Sequence, residues 1–191
     1  SPIVELLEDH ISKAKEPSRE DDDDSMTSPQ VRALESENAS LKAELARVKN
    51  QESITRLELL LDRTDAWKRH KHSEGVIAFG FGLGALRGRA TTLTDATLDP
   101  RMGPILDAVL EVGRRGIEET ELRHVQTIYV MRNNRRGVHT DAKNIGRSHI
   151  ISLGDYSDAA DPTAGRLRTN NGILNTYRQM CSFYAQDPHA V

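Results

Sequence analysis

Between Val125 and Leu153 the chain alternates short β-prone runs with turn residues, a rhythm that limits the available folds more than any other feature. Val125-Gln126-Thr127-Ile128-Tyr129-Val130 is rich in β-branched side chains and predicts a strand, and Asn133-Asn134 predicts a turn. An extended segment through His139 follows. Ser148-His149-Ile150-Ile151-Ser152-Leu153-Gly154-Asp155-Tyr156 then reads as a strand running into a turn. Strand, turn, strand, turn, strand suits an antiparallel β fold and not a parallel α/β one.

Upstream, Val76-Ile77-Ala78-Phe79-Gly80-Phe81-Gly82-Leu83-Gly84 alternates large apolar with small residues, as a half-buried strand does. Gly80-x-Gly82-x-x-Ala85 imitates a dinucleotide-binding turn, which has to open a helix. Arg87-Gly88-Arg89-Ala90-Thr91-Thr92 follows instead, without a run of helix formers, so a Rossmann reading is set aside. Pro104 begins a better helix. Ile105, Leu106, Val109, Leu110, Val112 and Ile117 form its apolar face, with Arg114, Arg115, Glu118 and Glu119 outward.

The N-terminal part has a different period. Val31, Asn38 and Leu45 fall at one heptad position and Leu34, Leu41 and Val48 at the other, with helix formers and mixed charges between them. This is a two-stranded coiled-coil pattern in which Asn38 is the polar residue that favours a parallel dimer at some cost in stability. A single amphipathic helix lying on the domain is the plainer reading. Ser28-Pro29 supplies a cap with Pro at the first helical position. After Val48 the stripe continues through Ile54, Leu57 and Leu61 in another phase. The expected organisation is a disordered acidic tail over 1–30 containing Glu20-Asp21-Asp22-Asp23-Asp24, a coiled-coil helix over 31–65, and a β domain over 75–191. Lys68-Arg69-His70-Lys71-His72-Ser73 reads as a polar hinge whose two His are solvated.

Only 37% of the chain is apolar while 29% is charged, so part of it lies outside any packed core. A net charge of −3 does not separate nucleic acid from other partners. Aromatics are too scarce for a single-strand stacking platform, so nucleic acid is not supported. No apolar run approaches the roughly 20 residues that span a bilayer, and Ser1-Pro2-Ile3-Val4-Glu5 has no secretory signature. Cys181 stands alone, which fits a reducing, intracellular setting.

The chemistry-bearing stretch is Gly137-Val138-His139-Thr140-Asp141-Ala142-Lys143-Asn144-Ile145-Gly146, which holds the only His-x-Asp of the sequence. Side chains alternate along an extended segment, so His139 and Asp141 share a face. They supply two of the three ligands of a 2-His-1-carboxylate site. His189, in Asp187-Pro188-His189-Ala190-Val191, is a candidate third ligand, with Pro188 favouring an extended backbone before it. His149 and His124 are rivals, and an exposed strand end facing water is the plain alternative for the triplet. Arg123, Arg132, Arg135, Arg136, Lys143 and Arg147 crowd around Asp141, the one nearby acid; they read either as an anion-binding patch or as solvated loop charges.

The run from Arg136 to Tyr156, the later Gly165-Arg166-Leu167 and the terminal Asp187-Pro188-His189-Ala190-Val191 resemble the 2-oxoglutarate/Fe(II)-dependent oxygenase-like proteins, in a divergent branch. The resemblance covers roughly Gly75 to Val191. It implies an incomplete double-stranded β-helix, or jelly roll, with a packed helix, which together with the N-terminal coiled-coil helix read from the heptads makes an α+β chain. It matches His139, Asp141 and His189 to the iron ligands, with Fe(II) and 2-oxoglutarate as cofactors. The segment Ser157 to Ala164 stands where relatives run straight into a Gly-Gly pair, which implies a longer loop. The family's basic residue for the distal carboxylate lies on a strand after the last His, and that strand is missing from these residues; Arg147 or Arg166 is the available substitute. Tyr129 and Arg147 are the expected cosubstrate contacts. The implied function is a dioxygenase-like oxidoreductase acting on C–H bonds of an unknown substrate, hydroxylating or demethylating it, as a homodimer through the coiled coil. The alternative is a non-catalytic coiled-coil interaction protein carrying a degenerate or truncated jelly roll.

Overall fold

The fold was obtained as a computed structural model, which describes residues 29–69, 75–84, 92–134, 136–142, 144–154 and 165–191. The acidic tail, His70, His72, the segment after Gly84, Arg135, Lys143, Tyr156 and the longer loop lie outside the described residues. The chain divides into two compact units, Ser1–Glu52 and Ser53–Val191. It combines a long N-terminal helix with antiparallel sheets. No helix among the described residues is long and apolar enough to cross a membrane.

Helix α1 is described over Pro29–Arg63, with the proline in its first described turn, where a missing N–H costs nothing. Over residues 31–48 its half-buried positions are Asn38, Leu41, Leu45 and Val48, which are heptad positions. Val31 and Leu34 stay exposed. Asn38 Oδ1 is shielded from water and has no hydrogen-bond partner among the described residues.

In the second unit the helix turns a different face inward. Ser53, Ile54 and Leu57 are buried. Ile54 and Leu57 join Phe79, Phe81, Met102, Ile105, Ala108 and Val112 in the core. The phase change after Val48 therefore has a physical cause. The later stripe is the face that meets the core, with Ile54 and Leu57 in it. The indole Nε1–H of Trp67 donates to the Leu61 carbonyl at 3.3 Å, satisfying a carbonyl of the last helical turn.

The first sheet is organised around β2 (Ile77–Gly84), which pairs antiparallel with β1 (Lys68–Arg69), β3 (Thr92–Leu93) and β4 (Thr127–Arg132). Lys68 and Arg69 are thus an edge strand and not part of a hinge. The period of two puts Phe79 and Phe81 in the core, while Gly80 and Gly82 face the other way. The Tyr129 ring lies across Gly80, with ring carbons 3.2 Å from where a Cβ would sit. Gly82 has φ +95° and a Cβ there would run into the Gln126 carbonyl. Close strand approach, and not a phosphate cradle, accounts for this glycine pair.

Two short turns of helix, α2 (Asp95–Leu98) and a 3-10 turn (Pro100–Met102), lead into α3 (Gly103–Gly116). Ile105, Ala108, Val112 and Gly113 are its buried face, one stripe at helical spacing. A short α4 (Glu119–Leu122) precedes β4.

The remaining strands position the site. β5 (Ser148–Ile150) pairs antiparallel with β8 (Cys181–Phe183), His149 opposite Ser182. β6 (Leu167–Thr169) lies between β7 (Gly172–Leu174) and β9 (His189–Ala190), both antiparallel to it. A buried hydroxyl chain knits these parts. Thr176 Oγ1–H donates to the Gly165 carbonyl at 2.9 Å, so the 2.7 Å contact with Ser152 has the serine as donor. Arg178 reaches back to α1, donating to Thr55 Oγ1 at 2.8 Å and pairing with Glu58 at 3.2 Å. Glu58 also accepts from the Gly154 amide at 3.2 Å.

Candidate metal centre

His139 and His189 face each other across an antiparallel bridge and exchange both backbone hydrogen bonds, each 2.9 Å. In such a pair the two side chains stand on one face of the sheet at close range. The Arg136 and Val191 backbones pair at 3.0 and 3.2 Å. Gly137 and Val138 therefore oppose Ala190 alone. This is a β-bulge, the device that bends a strand and re-aims a side chain. Val138 is pushed outward, 78% exposed. Beyond His139, the Asp141 amide donates to the Ala185 carbonyl at 2.7 Å, fixing the second ligand's backbone against the loop before β9.

His139 Nδ1 lies 2.8 Å from the Gly137 carbonyl, and His189 Nδ1 lies 2.9 Å from the Asp187 carbonyl. A carbonyl only accepts, so each Nδ1 carries the proton and each neutral ring offers Nε2 as a lone pair. Holding the far nitrogen in this way is how metal-ligating imidazoles are oriented. The two rings are 4.3 Å apart, and the Phe183 ring stands edge-on to His189 at 4.9 Å. His189 is buried and Asp141 half-exposed.

His139, Asp141 and His189 each offer one ligand atom, and these atoms lie within 4.8 Å of one another. Donors on one face of a small ion stand about 3.0–3.4 Å apart for bonds of ~2.1 Å. The 3.9 Å between His189 Nε2 and Asp141 Oδ2 is several tenths of an ångström wider, so the three donors draw together to share an ion. The donor set is two neutral imidazoles and a carboxylate on one face, and it can hold a divalent metal.

The other expected site residues have surroundings of their own. Arg147 pairs with Glu121 at 3.3 Å. Tyr129 covers Gly80 and is otherwise exposed. His149 is committed to Ser182, with Nδ1 2.8 Å from Oγ and Nε2 3.6 Å from Glu121. Burial pushes the His149 pKa below the ordinary imidazole value, against the opposing pull of Glu121 and with a smaller push from Arg147. His124 is exposed in the turn after α4. The expected basic patch is partly dismantled by pairing: Arg132 with Asp62 at 2.9 Å and Arg123 with Glu119. One cation does approach the cluster. Arg136 Nη1 lies 3.3 Å from His139 Nε2. Its spacing of three before His139 was the available signal, but only the bulge turns it inward.

Neither a known protein family, nor a curated protein, nor a solved structure matches the chain.

Proposed function

We propose that the second unit is a metal-dependent oxygenase module of the 2-oxoglutarate/Fe(II) type, built as a jelly roll, and that α1 dimerises it as a coiled coil. One observation carries the metal reading: His139 and Asp141 meet His189 across a single antiparallel pairing, with both imidazoles fixed through Nδ1. The antiparallel pairs β5–β8 and β7–β6–β9 support the jelly-roll reading.

Fe(II), when bound, supplies the oxygen chemistry that couples decarboxylation of 2-oxoglutarate to oxidation of a C–H bond. The chain's part is placement. His139 and His189 present fixed lone pairs, Asp141 offsets the charge of the cation, and Phe183 walls off the buried imidazole. The reading is tested by succinate release from 2-oxoglutarate. Release is expected to require Fe(II) and to fall to background in Asp141→Ala. Release indifferent to that substitution would remove the site from the chemistry, and silence from a version extended by the strand after His189, with metal bound, would favour a non-catalytic interaction protein.

The dimer has its own test. A peptide covering residues 28–62 is expected to associate as a parallel dimer. Asn38→Val should raise its melting temperature while relaxing the choice of oligomer, because a polar residue at this heptad position trades stability for register. A peptide that stays monomeric and unfolded at high concentration rules the coiled coil out.

A further inference from the structure

We propose that Arg136 makes metal binding at this centre depend on a small carboxylate anion, an inference that rests on the metal-centre reading above. A guanidinium has donors only, so Arg136 Nη1, 3.3 Å from His139 Nε2, donates to that nitrogen's lone pair. A metal ion needs the same lone pair. The two cannot use it together, and the guanidinium keeps its charge at every accessible pH. Metal entry therefore displaces Arg136 and leaves a positive charge close to a doubly charged ion.

That arrangement is costly unless an anion joins it. Arg136 is suited to receive one. Its backbone is pinned on both sides to Val191, so the side chain starts from a fixed point at the bulge. Its neighbours Arg132 and Arg147 already hold Asp62 and Glu121, whereas no carboxylate among the described residues pairs with Arg136. The planar fork of the guanidinium fits a carboxylate in two parallel hydrogen bonds. Released from His139, it can grip a carboxylate brought in beside the metal, neutralising the charge it would otherwise oppose. Metal alone binds against Arg136; metal with a carboxylate of the 2-oxo acid class binds with its help. Coupling of this kind is reciprocal, so the metal also raises affinity for the anion.

The experiment titrates the full chain with Mn(II), reading free Mn(II) by electron paramagnetic resonance, with and without 2-oxoglutarate and with no turnover involved. Wild type is expected to bind Mn(II) about tenfold tighter when 2-oxoglutarate is present, a coupling of ordinary size. Arg136→Gln should bind Mn(II) alone about tenfold tighter than wild type and gain less than about threefold from the anion. Arg136→Lys keeps the charge without the fork, so it should match wild type for Mn(II) alone and lose most of the anion's effect. Both substitutions leave the backbone pairing with Val191 in place, and the Lys variant decides the matter if the Gln variant fails to fold. An anion gain preserved in the variants overturns the inference while leaving the metal centre standing. No Mn(II) uptake in any form, wild type included, overturns both.

Discussion

His139→Ala is expected to strip the protein of bound metal, lowering affinity by more than about 100-fold, since losing even an outer-shell partner of a ligand costs ten- to a hundredfold. The reason lies in the donor count. Three donors would share the ion, and the two that remain, Asp141 and His189, come from facing segments. The substitution is clean because the pairing of residue 139 with His189 runs through backbone atoms that alanine retains. Metal content after dialysis against Fe(II), Mn(II) or Co(II) checks the prediction, with circular dichroism showing that the fold survives. His149→Ala serves as the control. Its imidazole is engaged with Ser182, away from the cluster, so that variant should hold metal like the wild type. Equal metal content in wild type and in a His139→Ala, Asp141→Ala double variant would end the case for this centre.

The contrast between His139 and Arg147 shows what the sequence reveals of such a site. Period-two alternation brings His139 and Asp141 to one face, and that much follows from spacing. His189 is 50 residues away and enters through resemblance, because no local rule says which strand will pair with which. The bulge at Gly137 and Val138 was not legible at all. It exists only relative to the partner strand, and it is what turns Arg136 toward His139. The partner of Arg147 was hidden for the converse reason. A reading along the chain weighs only nearby acids, and the acid that takes Arg147 is Glu121, 26 residues upstream; Arg132 finds Asp62, 70 residues away.

The helices and the first sheet were more legible, because their periods are set by one-sided burial. The strand through Phe79 and the helix from Pro104 both stand where the pattern puts them. The slip of the α1 stripe after Val48 was visible in the sequence as a change of phase. Its meaning, that the later stripe enters the domain core, needed Ile54 and Leu57 to be seen among Phe79 and Ile105. The hinge over Lys68 and Arg69 failed because an edge strand can be wholly polar when both of its side chains face water, as these do.

Phe81→Ala is expected to be the most damaging single core change, at about 3–5 kcal/mol. Phe81 is 1% exposed and stands edge-on to Phe79, with ring centroids 5.6 Å apart. Removing the ring leaves a cavity among residues contributed by α1, β2 and α3. How much that costs depends on whether the surroundings can close in, and here β2 is braced on its far side. Gly82 is packed directly on the Gln126 carbonyl, and its amide donates to Thr97 Oγ1 at 2.8 Å. With the backbone held on that side, relaxation falls to flexible Met102 and the loss sits in the upper half of the range. Against a total stability of about 5–15 kcal/mol for a domain, that is about a quarter to all of it. Urea denaturation followed by circular dichroism should show the midpoint falling sharply with an unchanged slope, as for a loss of stability without a change in surface exposed. Tyr129→Ala, on the opposite face of the same sheet and 68% exposed, should cost far less. A Phe81→Ala variant losing under about 1 kcal/mol would mean that α1 and α3 do not close over β2 as one core.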